Sequence, residues 1–123
     1  MTHDNINWDT IKPGRPLNAL IARGMGWKLR YRIWWSDTDE QLYSMDRHSR
    51  MPEWWHPGDH PTQWVEVVEW MRQQRYRVEM AWTRRVTVTV YKTAGPTIGA
   101  VDNLGSAALA VCRAAGKVMY GNN

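Results

Sequence analysis

Phenylalanine is absent from this chain, and its place is taken by nine tryptophans and five tyrosines among 123 residues. Every aromatic side chain therefore carries an N–H or O–H that needs an acceptor or water. Cysteine is almost absent too. Cys112 alone excludes an internal disulfide and agrees with a reducing compartment. No apolar run reaches the roughly 18 residues a membrane-spanning helix needs. The start MTHDNINWDT has neither the basic nor the apolar region of a signal peptide. These absences point to a cytoplasmic protein with no membrane partner. Also missing are a P-loop, a dinucleotide-type glycine fingerprint and a Gly-x-Ser-x-Gly elbow. Neither catalysis nor a cofactor is indicated.

What is present suits one domain, since a chain of this length with 43% apolar residues builds a single core. Sixteen Lys and Arg against 12 Asp and Glu leave a net charge of +4, which favours an anionic partner. The first ten residues are polar and are expected to lie loosely. After the turn KPGRP, Pro16 opens a helix over 16–24 with Leu17, Leu20 and Ile21 on one stripe, closed by Gly24 and Gly26. Residues 27–35 alternate as one strand. Leu29, Tyr31, Ile33 and Trp35 share an apolar face, opposite Lys28, Arg30, Arg32 and Trp34.

A second helix begins near Pro61, with Asp59 as candidate cap. Trp64, Val67, Val68 and Met71 form its buried stripe, and Trp70 sits at the edge or outside. Tyr76 to Trp82 and Val86 to Tyr91 alternate as two strands joined by a hairpin at 83–85, and Ile98 to Val101 suits a short edge strand. Leu104 to Met119 traces a third helix with a flat face of small residues, suited to close packing. The fold class is α+β: a single-domain layered α/β sandwich with three helices and a mainly antiparallel sheet of three or four strands.

Residues 36–61 show neither periodicity, and a loop of that length in a small domain is usually functional. Within it Arg47 and Arg50 precede the pair Trp54-Trp55, which can close over a ligand as a lid or pin the loop to the sheet as a satellite core. The second candidate surface is the polar face of the strands, where Arg30, Arg32 and Trp34 would join Arg77, Glu79, Thr87, Thr89 and Tyr91. Such a face can stack a base and hold its phosphates, unless a helix covers it.

Weaker constellations have simpler explanations. His56, Asp59 and His60, with His48 at a distance, have the residue types of a metal site, but Pro57 and Gly58 break the spacing and serve a turn. Asp37, Asp39 and Glu40 lack the glycine and distal glutamate of a calcium loop and form a solvated turn. Cys112 lies on the apolar face of its helix with no base nearby, a buried small hydrophobe rather than a nucleophile. No metal is expected.

Three stretches, PGRPLNALIARGMGW, TQWVEVVEWMRQQRYRVEM and GAVDNLGSAALAVCRAAGKVM, together resemble the phage ABA sandwich domain, a family of small bacteriophage proteins. In that family a Pro/Gly-led first helix ends in a Gly-Trp pair, matched by Gly26-Trp27. A helix with a Trp-x-x-Val-Val-Glu-like core is matched by Trp64 to Glu69, and an Ala-x-Cys-Arg-Ala signature by Ala110 to Ala114. The resemblance implies an α/β sandwich of phage origin in an infected bacterial cell and brings no catalytic residues with it. The segment 34–61 departs from the family pattern by its length and aromatic content.

Together these features lead to a non-enzymatic phage accessory protein that sequesters a small anionic aromatic ligand, a nucleotide or nucleotide-derived host-defence signal. The expected ligand-binding residues are Arg30, Arg32, Trp34, Arg47, Arg50, Trp54, Trp55 and Tyr91. Single-stranded nucleic acid through the same residues, and inhibition of a host protein, are the alternatives. A homo-oligomer is left open.

Overall fold

Pro16 has a φ already set for a helix and no N–H to leave unpaired, and it stands in the first turn of α1 (Arg15–Gly24). The computed structural model describes residues 6–30, 33–42, 54–92 and 106–121, together with the backbone of 98–100. Leu17, Ile21 and Ala22 bury the inner stripe of α1, and Gly26, at φ 98°, makes the left-handed turn that a side chain would oppose. In α2 (Gln63–Gln73) Val67 and Met71 are buried. Trp64 proves only half-buried, contrary to its expected place on the buried stripe, and its Nε1 donates to Pro61 O at 2.8 Å. The indole reaches the helix start with its N–H while it packs at the margin of the core.

Helix α3 (Ala107–Tyr120) is capped by Ser106 Oγ, which accepts from Leu109 N at 3.1 Å, and ends on left-handed Gly121. Every residue from Ala108 to Lys117 is buried, so this helix has no solvent face along that stretch. It touches α1 and α2 on one side and the strands β5 and β6 on another. Alanine and glycine at positions 108, 110, 114, 115 and 116 make such all-round packing feasible, because they let neighbours approach closely.

Strands β4 (Arg77–Trp82), β5 (Val86–Tyr91) and β6 (Ile98–Ala100) form one antiparallel sheet in that order. Val78 pairs with Val90 and Met80 with Val88 on the side that α3 covers, whereas Arg77 pairs with Tyr91 and Glu79 with Thr89 on the other. Arg77, Glu79, Ala81 and Thr87 are exposed, so the polar face over β4 and β5 is open rather than covered by a helix.

The remaining strands form a second three-stranded antiparallel sheet, β1 (Lys28–Arg30), β2 (Ile33–Trp35) and β3 (Gln41–Leu42). The class is α+β with three helices, as anticipated, but the strands divide between two sheets. The expected single strand over 27–35 is a hairpin, with Arg30 opposite Ile33 and Leu29 opposite Trp34. This antiparallel pairing inverts the alternation of β2 relative to a continuous strand. Trp34 therefore shares a side with Leu29, and Trp35 shares a side with Arg30. The sequence between Lys28 and Trp35 contains none of the Gly, Asn or Asp that announce a hairpin, so its alternation reads as one strand. β3 falls within the segment expected to be one long loop.

The N-terminal segment is also corrected. Trp8 is buried, lies over Gly116 of α3, and stacks on Tyr120 with centroids 5.6 Å apart. Asp9 pairs with Lys117 at 2.7 Å, and Ile11 O accepts from Arg113 Nη2 at 2.7 Å. A polar stretch is thus clasped to α3 by one large ring and two hydrogen-bonded cations.

Candidate functional site

The anticipated ligand residues do not assemble on one surface. Trp55 is 0% exposed; its Nε1 donates to Asn18 O at 3.0 Å and its ring lies 4.7 Å from that of Trp27. It pins the central loop to the core and cannot move as a lid. Its neighbour Trp54 is 43% exposed, 6.1 Å from Trp27. Gln63 locks the pair in place, accepting from His56 N at 2.7 Å and donating to Trp54 O. Trp34 is also core, at 2% exposed, with the Arg23 guanidinium 5.9 Å from its ring. The causes differ: Trp55 fills core space from a segment with no periodicity, whereas Trp34 turns inward because the β1–β2 pairing inverts the alternation expected of one continuous strand.

Arg30 is committed locally. It pairs with Asp39 at 2.8 Å and lies 4.8 Å over the Trp35 ring. Tyr91 is in the other sheet, where its hydroxyl donates to Glu79 and Arg77 lies 5.7 Å from its ring. The Glu79 hydrogen bond, more than burial, raises the Tyr91 pKa above its ordinary value. The supposed continuous face running from Arg30 to Tyr91 is therefore split between two sheets. Arg32, Arg47 and Arg50 lie outside the described residues.

The histidines serve the turn before α2. His56 Nδ1 meets Asp59 Oδ1 at 2.8 Å, and His60 Nδ1 accepts from Thr62 N at 3.1 Å and Gln63 N at 3.2 Å. His60, not Asp59, supplies the acceptor at the helix start. Among the described residues no group of three or more His, Cys, Asp or Glu can hold a metal ion. Burial pushes the Cys112 thiol well above the ordinary thiol range, which keeps it protonated and inert.

A different surface gathers the features that suit an anion. Between residues 72 and 92 the chain exposes Arg72, Arg75, Arg77, Arg84, Arg85 and Lys92 against one acid, Glu79. Arg72 is paired with Glu69 on α2 at 3.0 Å; the other five cations less Glu79 make +4, as much as the whole chain carries. Lys92 Nζ lies 4.6 Å from the Tyr76 ring, so cations flank aromatic rings at this end of the hairpin. At its other end Trp82 is 60% exposed, beside a turn closed by Thr83 N donating to Arg85 O at 2.8 Å. Alternation puts Trp82 on the α3-facing side with Val78 and Met80, but the strand runs past its cover. The charge density of 72–85 was countable in the sequence, whereas the exposure of Trp82 was not, because strand period gives a side and not the extent of the layer beneath.

The groove beside α2, about 280 Å³ and lined by Met25, Asp37, Glu66, Glu69 and Trp70 among others, is carboxylate-rimmed and of the wrong sign for an anion. No helix of the described residues is long and apolar enough to cross a membrane. Comparison with protein-family models, with curated proteins and with solved structures finds no match.

Proposed function

We propose that the protein is a non-enzymatic phage accessory protein that binds an anionic ligand bearing aromatic bases, a nucleotide or a nucleic acid. The observation that carries this reading is the concentration of the chain's positive excess between the end of α2 and Lys92, across the β4–β5 hairpin, where cations stand beside Tyr76, Trp82 and Tyr91. Arginine offers bidentate contacts to phosphate, and the rings offer stacking faces. The phage setting rests on the sequence resemblance described above, and sequestering a nucleotide-derived host-defence signal is the role that setting suggests. Isothermal titration against mononucleotides, cyclic nucleotides and short oligonucleotides is the direct test. Heat with at least one of these at tens of micromolar protein is expected, and its absence across all of them defeats the reading.

A host protein as partner is the second reading, favoured by the exposed Trp54 and Trp82, since tryptophan and arginine dominate binding hot spots. Pull-down from bacterial lysate tests it, and recovery of no stoichiometric protein removes it.

A further inference from the structure

We infer that the tip of the β4–β5 hairpin, formed by Trp82, Arg84 and Arg85, is a binding platform for single-stranded nucleic acid without sequence preference. This rests on the anionic, base-bearing ligand proposed above and names its class and its place.

The tip is built rather than loose. Thr83 N donates to Arg85 O at 2.8 Å, and Arg85 N donates to Thr83 Oγ1 at 3.4 Å. The two strands leading to it pair without interruption from Arg77 opposite Tyr91 to Trp82 opposite Val86. Trp82 is thus an indole on a paired strand end, 60% exposed. A base has a π-face of matching size, and Arg84 and Arg85, exposed in the turn that follows Trp82, supply guanidinium groups for its phosphates. Stacking is indifferent to base identity, which is why no sequence preference follows.

An extended strand fits better than a single nucleotide. Cations stand at both ends of the hairpin, Arg84 and Arg85 at the tip and Arg75, Arg77 and Lys92 at the base, with Glu79 the one acid between them; six strand residues span about 20 Å, a separation that one nucleotide cannot bridge. The β4–β5 face carries a pocket of about 240 Å³ at Glu79, Ala81, Thr87 and Thr89, whose one charged lining group is a carboxylate and so disfavours a small anion. An anionic membrane would suit the charges, but the tip offers one apolar side chain, and interfacial anchoring draws on an apolar face of several.

The test is fluorescence anisotropy of the full chain with labelled oligonucleotides of about 4, 8 and 16 nucleotides, a range that covers known single-fold site sizes, beside mononucleotides, heparin and anionic vesicles. Affinity is expected to rise with length. Trp82→Ala is expected to weaken the longest oligonucleotide roughly tenfold, and Trp82→Phe to restore most of that loss, with melting temperatures unchanged. Arg84→Ala with Arg85→Ala is expected to flatten the slope of log affinity on log salt by about 1.4, twice the 0.7 carried by each phosphate contact of a single strand. Binding that saturates with one nucleotide and ignores all these variants overturns the platform while leaving the broader reading intact. Failure of every nucleotide and oligonucleotide to bind overturns both. Oligonucleotide binding that does not depend on Trp82, or Trp82-dependent binding to vesicles or heparin alone, overturns the stacking platform.

Discussion

At the scale of single residues, adjacent tryptophans have opposite fates. Trp55 and Trp54 share a segment with no periodicity, yet one ring fills the space beside Trp27 and hydrogen-bonds Asn18 O, while the other is nearly half in solvent. Trp55→Ala is expected to cost about 3–5 kcal/mol as a cavity-forming truncation. Trp54→Ala should stay within about 1 kcal/mol, as surface changes do. Thermal and urea melts of the two variants check this, and similar losses in both would place Trp54 in the core as well. Cys112 yields a prediction in pH. Its thiol is raised in the folded state, so its contribution to stability is complete below the ordinary thiol pKa and declines as pH climbs past it, where only the unfolded chain releases the proton. Between pH 7.5 and 9.5 this amounts to about 1.4 kcal/mol, for an unfolded thiol titrating near 8.5. Urea unfolding under reducing conditions should show that difference in the wild-type chain relative to Cys112→Ala, since all other titrations are shared. An equal pH response in the two proteins would mean the thiol reaches solvent in the folded state.

Among elements, the legible ones are those whose sequence period matches a single continuous burial side. Val86, Val88 and Val90 alternate with Thr87, Thr89 and Tyr91, and the register between β4 and β5 follows that alternation to its end. The helices lie within a few residues of their expected limits for the same reason, helped by Pro16 and by the glycines after α1. Two elements escaped. The reversal between β1 and β2 carries no turn signature in the sequence, and the N-terminal clasp depends on one tryptophan in a polar run. Neither has a local pattern; both are set by what lies across the core. The binding surface was legible in part, since the arginines of 72–85 can be counted, but the burial of Trp55 reflects tertiary packing, and that of Trp34 a strand pairing, that no period records. The clasp gives a test in which two effects oppose. Gly116→Ala in a helix interior ordinarily stabilises by about 1 kcal/mol, but a Cβ on Gly116 would overlap the Trp8 indole. Overpacking of this kind costs about 1–3 kcal/mol, so net destabilisation is expected, together with faster proteolysis before Ile11. In a Trp8→Ala background the ring is gone and the same substitution should turn neutral or stabilising. A stabilised Gly116→Ala in the intact chain would mean that the N-terminal segment does not seat on α3.

For the molecule as a whole, the position of α3 sets the order in which parts can come undone. Helices α1 and α2 lie against it from one side, β5 and β6 from another, and the N-terminal segment reaches it through Trp8, Asp9 and Ile11. No residue from Ala108 to Lys117 meets solvent as an exposed group. Exposing this helix therefore requires separating the layers on both sides of it, which is global unfolding. The β1–β3 sheet differs in kind. Its strands are three, three and two residues long, Lys28, Leu29 and Arg30 are exposed, and its attachment to the core runs through the buried Trp34, the half-buried Leu42 and the neighbouring Trp27. Regions with few buried contacts open at lower free energy than the whole, so this sheet should unfold as a unit of its own. Native-state hydrogen exchange in low urea resolves the two. Amides of Ala110 to Ala115 should exchange only through the global transition, with its full urea dependence, whereas those of β1 and β2 should exchange through a smaller opening with a lower urea dependence. Trp34→Ala should lower protection in β1 and β2 far more than in β4 and β5, because it removes the ring that ties that sheet down. Uniform loss across both sheets would show instead that Trp34 belongs to the common core, and that the two sheets rise and fall together.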